Sequence, residues 1–106
     1  MKINEYASAI EAILFASGEG VSTERLCLAL EVDKGVVDEA IEIIKKRTDA
    51  ESSGIELIKL EDSYQLVSKA RHGDVVRKVF EMNSSVAFII IKFLFFIKNQ
   101  PFRRFF

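Results

Sequence analysis

Apolar residues along this chain recur first at helical spacing and then, past residue 54, in short β-rich runs. Ile3, Tyr6, Ala7, Ile10, Ile13 and Leu14 fall three and four residues apart, which predicts a helix capped by Asn4 and running to about Ser17. Ala9, Ala12 and Ala16 form a second face of small residues, and Phe15 points away from the main stripe. Gly18 and Gly20 stop the helix, because glycine tolerates the left-handed backbone that a stop requires. Val21 is then a one-residue extended step. Ser22 caps a short helix over residues 23–30, with Glu24 in its positive first turn and Leu26, Cys27 and Leu30 inward. Val32 bridges to Asp33, which caps a third helix reaching about Asp49. Val37, Ala40, Ile41, Ile44 and Thr48 form its stripe, and Val36 and Ile43 widen that stripe beyond what one core needs.

Ser52, Ser53 and Gly54 break the helical pattern. Residues 55–60 and 64–68 predict a hairpin whose loop is Glu61, Asp62 and Ser63. Residues 71–81 read as a fourth short helix, and Asn83, Ser84 and Ser85 as a polar joint. Helix, short strand, two helices, hairpin wing, short helix is the order of a winged helix-turn-helix domain. The expected class is α+β, mostly helical, with a winged-helix domain over residues 1–82 and a linker and hydrophobic helical tail over residues 83–106. An unrelated small α+β domain with the same element order is the alternative.

Charge sharpens this picture. All 16 acids lie in residues 1–81 against 11 Lys and Arg, a net of −5, while residues 82–106 carry four bases and no acid. The globular part therefore repels a polyanion in its mean field. The third helix, which reads the major groove in many winged helices, offers Asp33, Lys34, Asp38, Glu39 and Glu42 along its N-terminal half. Base reading favours Arg, Lys, Asn or Gln there. Lys45, Lys46 and Arg47 sit at the other end, where they complement the helix C-terminus. The wing loop is acidic at Glu61 and Asp62. No direct sequence-specific DNA binding is expected.

The residues offer no constellation for catalysis, so the chain reads as a non-enzyme. His72 is the only histidine and suits a surface or capping role. Cys27 is the only cysteine and reads as a small buried hydrophobe. One Cys and one His build no metal cluster, and no cofactor is expected. A lone thiol suits a reducing cytoplasm.

The run IEAILFASGEGVS, followed by ERL, and the later run GIELIKLEDSYQLVSK resemble segregation and condensation protein B over about residues 6–82. Gly20 stands where proline is common in that family. The resemblance implies a cytoplasmic, nucleoid-associated accessory subunit of the bacterial SMC condensin, acting in chromosome condensation and segregation. It implies a homodimer formed through the first winged helix. It also implies contact with the kleisin subunit, segregation and condensation protein A, and with the SMC protein. A DNA-binding winged-helix regulator and a peripheral membrane protein are the alternatives.

Surplus apolar positions nominate the protein interface: Phe15, Val36, Ile43, Ile55, Leu57, Ile58 and Leu60. The hairpin is apolar on both faces, so one is expected to cover the helices and the other either to meet a partner or to be covered by the N-terminal segment and the fourth helix. Seven of the nine Phe lie in the tail, within residues 88–106. The tail is expected to be a truncated or frame-shifted start of a second winged-helix domain. A hydrophobic helix packing on a partner and a membrane anchor are the other readings. Residues 86–97, interrupted by Lys92, are shorter than the roughly 20 residues a span needs, so no membrane crossing is expected.

Overall fold

Helix α1 (Ile3–Ser17) begins two residues earlier than Asn4 capping requires. Lys2 holds the cap position in extended backbone with no side-chain cap, and its carbonyl accepts from the Glu5 and Tyr6 amides. Asn4 is inside the first turn, where a residue already helical in its backbone no longer caps. The other end is as expected. Gly18 is left-handed at φ 67° and donates its amide to the Leu14 carbonyl.

The computed structural model describes residues 1–81 and Phe96, which fall in two units, Met1–Ala70 and the chain from Arg71 onward. In the first unit, β1 (Val21–Ser22) leads directly into α2 (Thr23–Leu30). The Ser22 side chain accepts from the Arg25 amide at 3.1 Å, the N-cap expected of it. Glu31 closes α2 in the left-handed region at φ 56°, a conformation that costs a non-glycine residue energy. Asp33 caps α3 (Lys34–Asp49) by accepting from the Val36 amide at 3.1 Å.

The predicted stripes meet in one core. Ala7, Ile10 and Leu14 of α1, Leu26 of α2, and Val37, Ala40, Ile41 and Ile44 of α3 are buried there, with Val21 and Tyr64. Thr48 is buried on the same α3 stripe, and its hydroxyl donates to the Lys45 carbonyl at 3.2 Å. Each fully buried Leu or Ile contributes about 1.5–3 kcal/mol relative to exposure. Cys27 is half-buried at the edge of this cluster rather than within it. The short α2 turns Leu26 fully inward, so its neighbour one position on, rotated by about 100°, reaches only the rim.

A three-stranded antiparallel sheet in the order β1-β3-β2 covers the helices, with β2 (Ile55–Leu60) and β3 (Ser63–Ser68) forming the wing. Leu60 pairs with Ser63, so the loop is the two residues Glu61 and Asp62 rather than three. Ser63 belongs to the strand because it also pairs with Ser22 of β1. Glu61 takes φ 58° to make this tight turn. Cross-strand pairs Leu57–Leu66 and Lys59–Tyr64 lie on the face toward the helices, and Leu57, Tyr64 and Leu66 join the core cluster or pack on it. Alternation places Glu56, Ile58, Leu60, Gln65 and Val67 on the opposite face.

Lys69 is a buried lysine just past the wing. Its Nζ donates to the Ala50 carbonyl at 2.7 Å, and its amide donates to the Gly54 carbonyl at 2.9 Å. The first bond ties the end of β3 to the C-cap of α3, and the second ties it to the residue just before β2.

In the second unit, the fourth helix is split. A single 3-10 turn, Ala70–His72, which begins at the last residue of the first unit, precedes α4 (Gly73–Glu81). Val75, Val76, Val79 and Phe80 share one side of α4, and Arg77 bridges Asp74 and Glu81 on the other. His72 is half-buried, and its Nε2 accepts from the Arg71 Nε at 3.1 Å. The expected joint at residues 83–85 and the hydrophobic tail lie outside the described residues.

Candidate protein-interaction surface

The seven nominated residues divide by how much the core has claimed them. Leu57 and Ile43 pack against the core and are half-buried. Val36 and Ile58 are also half-buried, Ile58 on the wing face turned away from the helices. Ile55 and Leu60 are exposed at the two ends of β2. Phe15 is the most open of the seven, at 79% of its surface, on the outer side of α1 with Ser8, Ala12 and Ala16 also exposed. A phenylalanine so exposed among small residues leaves a shallow apolar surface that another helix can approach closely.

Leu28 was not among the nominated residues, yet it is 70% exposed on α2. A signal existed in the sequence. Leu28 is two positions from the buried Leu26, which is about 200° around a helix, so an inward Leu26 requires an outward Leu28.

The polar part of the first unit has a different geometry. The wing tip is tied to the start of α2: the Asp62 carbonyl accepts from both the Thr23 amide at 2.9 Å and the Thr23 hydroxyl at 3.1 Å. Beneath this tie is a crevice of about 360 Å³ walled by α2, the start of α3 and the wing. Cys27 and Tyr64 line it, with Glu24, Glu61 and Asp62 among its acids. A smaller hollow of about 210 Å³ lies between α3 and β2, against Ile41, Leu57 and Ile58. Lys59 borders both, with its Nζ 5.8 Å from the centre of the Tyr64 ring. On α3, Asp38, Glu39 and Glu42 are exposed, as are Lys45, Lys46 and Arg47. Arg47 reaches Glu11 of α1 at 3.4 Å and so is partly engaged within the fold. Among the described residues, no group of three or more His, Cys, Asp or Glu is arranged to hold a metal ion.

Comparison with known proteins identifies the lineage of this arrangement. The sequence model of the family "Segregation and condensation complex subunit ScpB" matches residues 8–89. The chain belongs to that family. Segregation and condensation protein B of Lachnoclostridium phytofermentans is 34% identical over 79 residues, covering 74% of this chain and 42% of that protein. The same protein of Caldanaerobacter subterraneus subsp. tengcongensis is 37% identical over 73 residues, covering 69% of this chain and 44% of that protein. This chain therefore spans less than half the length of these ScpB relatives.

Among solved structures, the crystal structure of a dimer of ScpB N-terminal domain complexed with ScpA peptide is similar, with a TM-score of 0.69 and 28% identity. That likeness covers 73% of this chain and 96% of the other. ScpB from Mycobacterium tuberculosis shares the fold, with a TM-score of 0.71 at 19% identity, over 81% of this chain and 55% of that one. The winged-helix-like order of helices and wing expected of this chain is the order these ScpB structures share. Among the described residues, no helix is long and apolar enough to cross a membrane.

Proposed function

We propose that this chain is a non-enzymatic subunit of an SMC–kleisin condensin, working in chromosome condensation and segregation by homodimerisation and by contact with the kleisin ScpA. One observation carries the reading. The chain is similar to nearly the whole of an ScpB N-terminal domain that is itself a dimer with an ScpA peptide.

Physical features support it. Phe15, Ile55 and Leu60 expose apolar surface in the first unit, as protein–protein contacts require. Phe15, with Ala12 and Ala16 beside it, is the proposed dimer contact. Ile55, Ile58 and Leu60 on the wing, with Val36, are proposed for further protein contact, and Leu57 and Ile43 support them from the core side. The exposed acids of α3 disfavour a role in reading duplex DNA, since like charges repel phosphate.

The test is direct. Light scattering on the purified chain is expected to give a dimer mass, and titration with ScpA peptide is expected to show saturable binding. Binding to duplex DNA is expected to be weak and sequence-independent. A monomer at all concentrations that ignores ScpA overturns the reading, as does tight, sequence-selective DNA binding whose salt slope reports several phosphate contacts.

A further inference from the structure

In the sheet order β1-β3-β2, β3 is paired on both sides and β2 on one only. Register decides which backbone groups of β2 face outward. The Lys69 amide donates to the Gly54 carbonyl, which continues by one step the pairing of Ile55 with Ser68. In an antiparallel ladder, hydrogen-bonded pairs alternate with pairs whose backbone groups point away from each other. Glu56, Ile58 and Leu60 therefore bond to β3, and Ile55, Leu57 and Lys59 turn their N–H and C=O groups to the open edge. The far side of the sheet agrees. The bond from the Thr23 amide to the Asp62 carbonyl is two steps along from Val21 and Tyr64, so Tyr64, the partner of Lys59, directs its backbone groups to β1.

The three edge residues differ in what meets them. The Ser53 hydroxyl accepts from the Ile55 amide at 3.3 Å and donates to the Ile55 carbonyl at 2.9 Å, so this end of the edge is closed. The outward groups of Leu57 and Lys59 have no hydrogen-bond partner among the described residues. Unpaired donors and acceptors along an edge strand are a template for one more strand.

Side chains set which strand fits. Leu57 and Lys59 are on the face toward the helices, so residues paired with them lie on that face too. Beside Leu57, the hollow of about 210 Å³ against Ile41 has room for an apolar side chain. Glu42 and Lys45 of α3 border that hollow with opposite signs and offset each other. Lys59 is on the strand itself, exposed, and in no ion pair among the described residues. An acid directly opposite it is the favourable cross-strand partner, and a β-branched residue is the favourable partner of Ile58 on the outer face. A second copy of β2 does not meet this requirement, because the face that carries Lys59 otherwise holds Ile55 and Leu57 and no acid. An edge lysine also disfavours pairing of like edges.

We infer that the open edge of β2 accepts an extended segment of a further partner protein as an antiparallel fourth strand, with an acid opposite Lys59, a β-branched residue opposite Ile58 and an apolar residue opposite Leu57. This rests on the reading of the wing as a surface for further protein contact, and adds to it the binding mode and the chemistry of the partner strand.

The probe is a synthetic peptide with Glu-Val-Leu between flanking threonines, titrated into the isotope-labelled full chain and followed by NMR. Saturable shifts centred on the Leu57 and Lys59 amides are expected, with their hydrogen exchange slowed by about tenfold or more. Methylating the backbone nitrogen of the peptide's Glu or Leu is expected to weaken binding by about tenfold, because each donates to β2, whereas methylating the Val nitrogen, which faces away, leaves binding unchanged. Lys59→Glu is expected to weaken the peptide by about fivefold and to favour a peptide with Lys in place of Glu. That charge swap excludes misfolding as the cause of the loss.

Binding that ignores the position of the methyl group, or shifts that avoid Leu57 and Lys59, overturns the inference. Exchange at these two amides that slows with protein concentration alone assigns the edge to a second copy and overturns it too. Displacement of the probe by ScpA peptide assigns the edge to the kleisin contact, with the same consequence. Failure of the probe to bind overturns this inference alone, since the dimer mass and the ScpA titration read the proposed function separately.

Discussion

Thr23 and Asp62, 39 positions apart, meet through two hydrogen bonds to a single carbonyl oxygen. Thr23 contributes its amide, one of the amides that a helix N-terminus leaves without an intrahelical partner, and its hydroxyl. The wing turn therefore completes the capping of α2, alongside the Ser22 side chain that accepts from Arg25. One contact settles both the start of a helix and the position of a hairpin tip.

Removing the hydroxyl while keeping the shape isolates half of this contact. Thr23→Val is expected to lower stability by about 0.5–1.5 kcal/mol, because the amide bond to Asp62 survives and one modest hydrogen bond is lost. Urea denaturation followed by circular dichroism reads the difference. Ser22→Ala next to it is expected to cost about 1 kcal/mol as the loss of an N-cap. The two losses are expected to be non-additive, since both residues hold the same helix end.

Gly18 has a backbone requirement and no packing requirement. It takes φ 67°, and a Cβ there meets nothing within 4 Å. Gly18→Ala is expected to destabilise by about 1 kcal/mol through left-handed strain alone. Glu31 is the reverse case, a side chain at φ 56° at the end of α2. Glu31→Gly is expected to be neutral or mildly stabilising, because relief of strain offsets the added freedom of the unfolded chain. Thermal melts of the pair against the parent test both signs.

Phe15 is expected to separate association from folding. Its side chain is 79% exposed, so Phe15→Asp removes little buried area and is expected to change stability by less than about 0.5 kcal/mol. The same variant is expected to weaken the proposed dimer, read by sedimentation equilibrium or light scattering across a dilution series. Leu14→Ala, one residue earlier and fully buried, is expected to cost about 2–5 kcal/mol, as much as a domain of this size has to lose.

Lys69 tests the clasp behind the wing. Lys69→Met keeps the apolar stem and removes the donor to the Ala50 carbonyl at 2.7 Å. A loss of about 1–2 kcal/mol is expected, because a part-buried hydrogen bond from a charged donor is removed while the Ser53 amide still donates to the same carbonyl. Faster amide hydrogen exchange at the end of β3 relative to the core helices is the local readout.

Local features of the chain were sufficient to read much of this fold. The stops and caps at Gly18, Ser22 and Asp33 depend on backbone conformation and side-chain reach within four residues, so short stretches of sequence encode them. The stripe from Val37 to Thr48 is similarly legible, because a buried helical face must repeat with the helix. Local reasoning failed where two local choices competed. Asn4 is a good capping residue, but the helix already begins at Ile3.

The candidate site was less legible than the helices, and the wing shows why. Its strands are apolar on both faces, so alternation supplies no inward direction. Only packing of Leu57, Tyr64 and Leu66 on the helices turns Ile58 and Leu60 outward. Ser63 became a strand residue through its pairing with Ser22, and Lys69 was buried by a carbonyl 19 positions away. The crevice likewise combines Glu24 and Cys27 of α2 with Lys59, Asp62 and Tyr64 of the wing. The sequence by itself determined the helices, the caps and stops at Gly18, Ser22 and Asp33, the two wing strands and the family, because each is written in neighbouring residues or in a matching run of them. The tertiary structure alone decided which wing face turns away from α1, α2 and α3 and which acids share a crevice, because those depend on contacts between segments that no local period records.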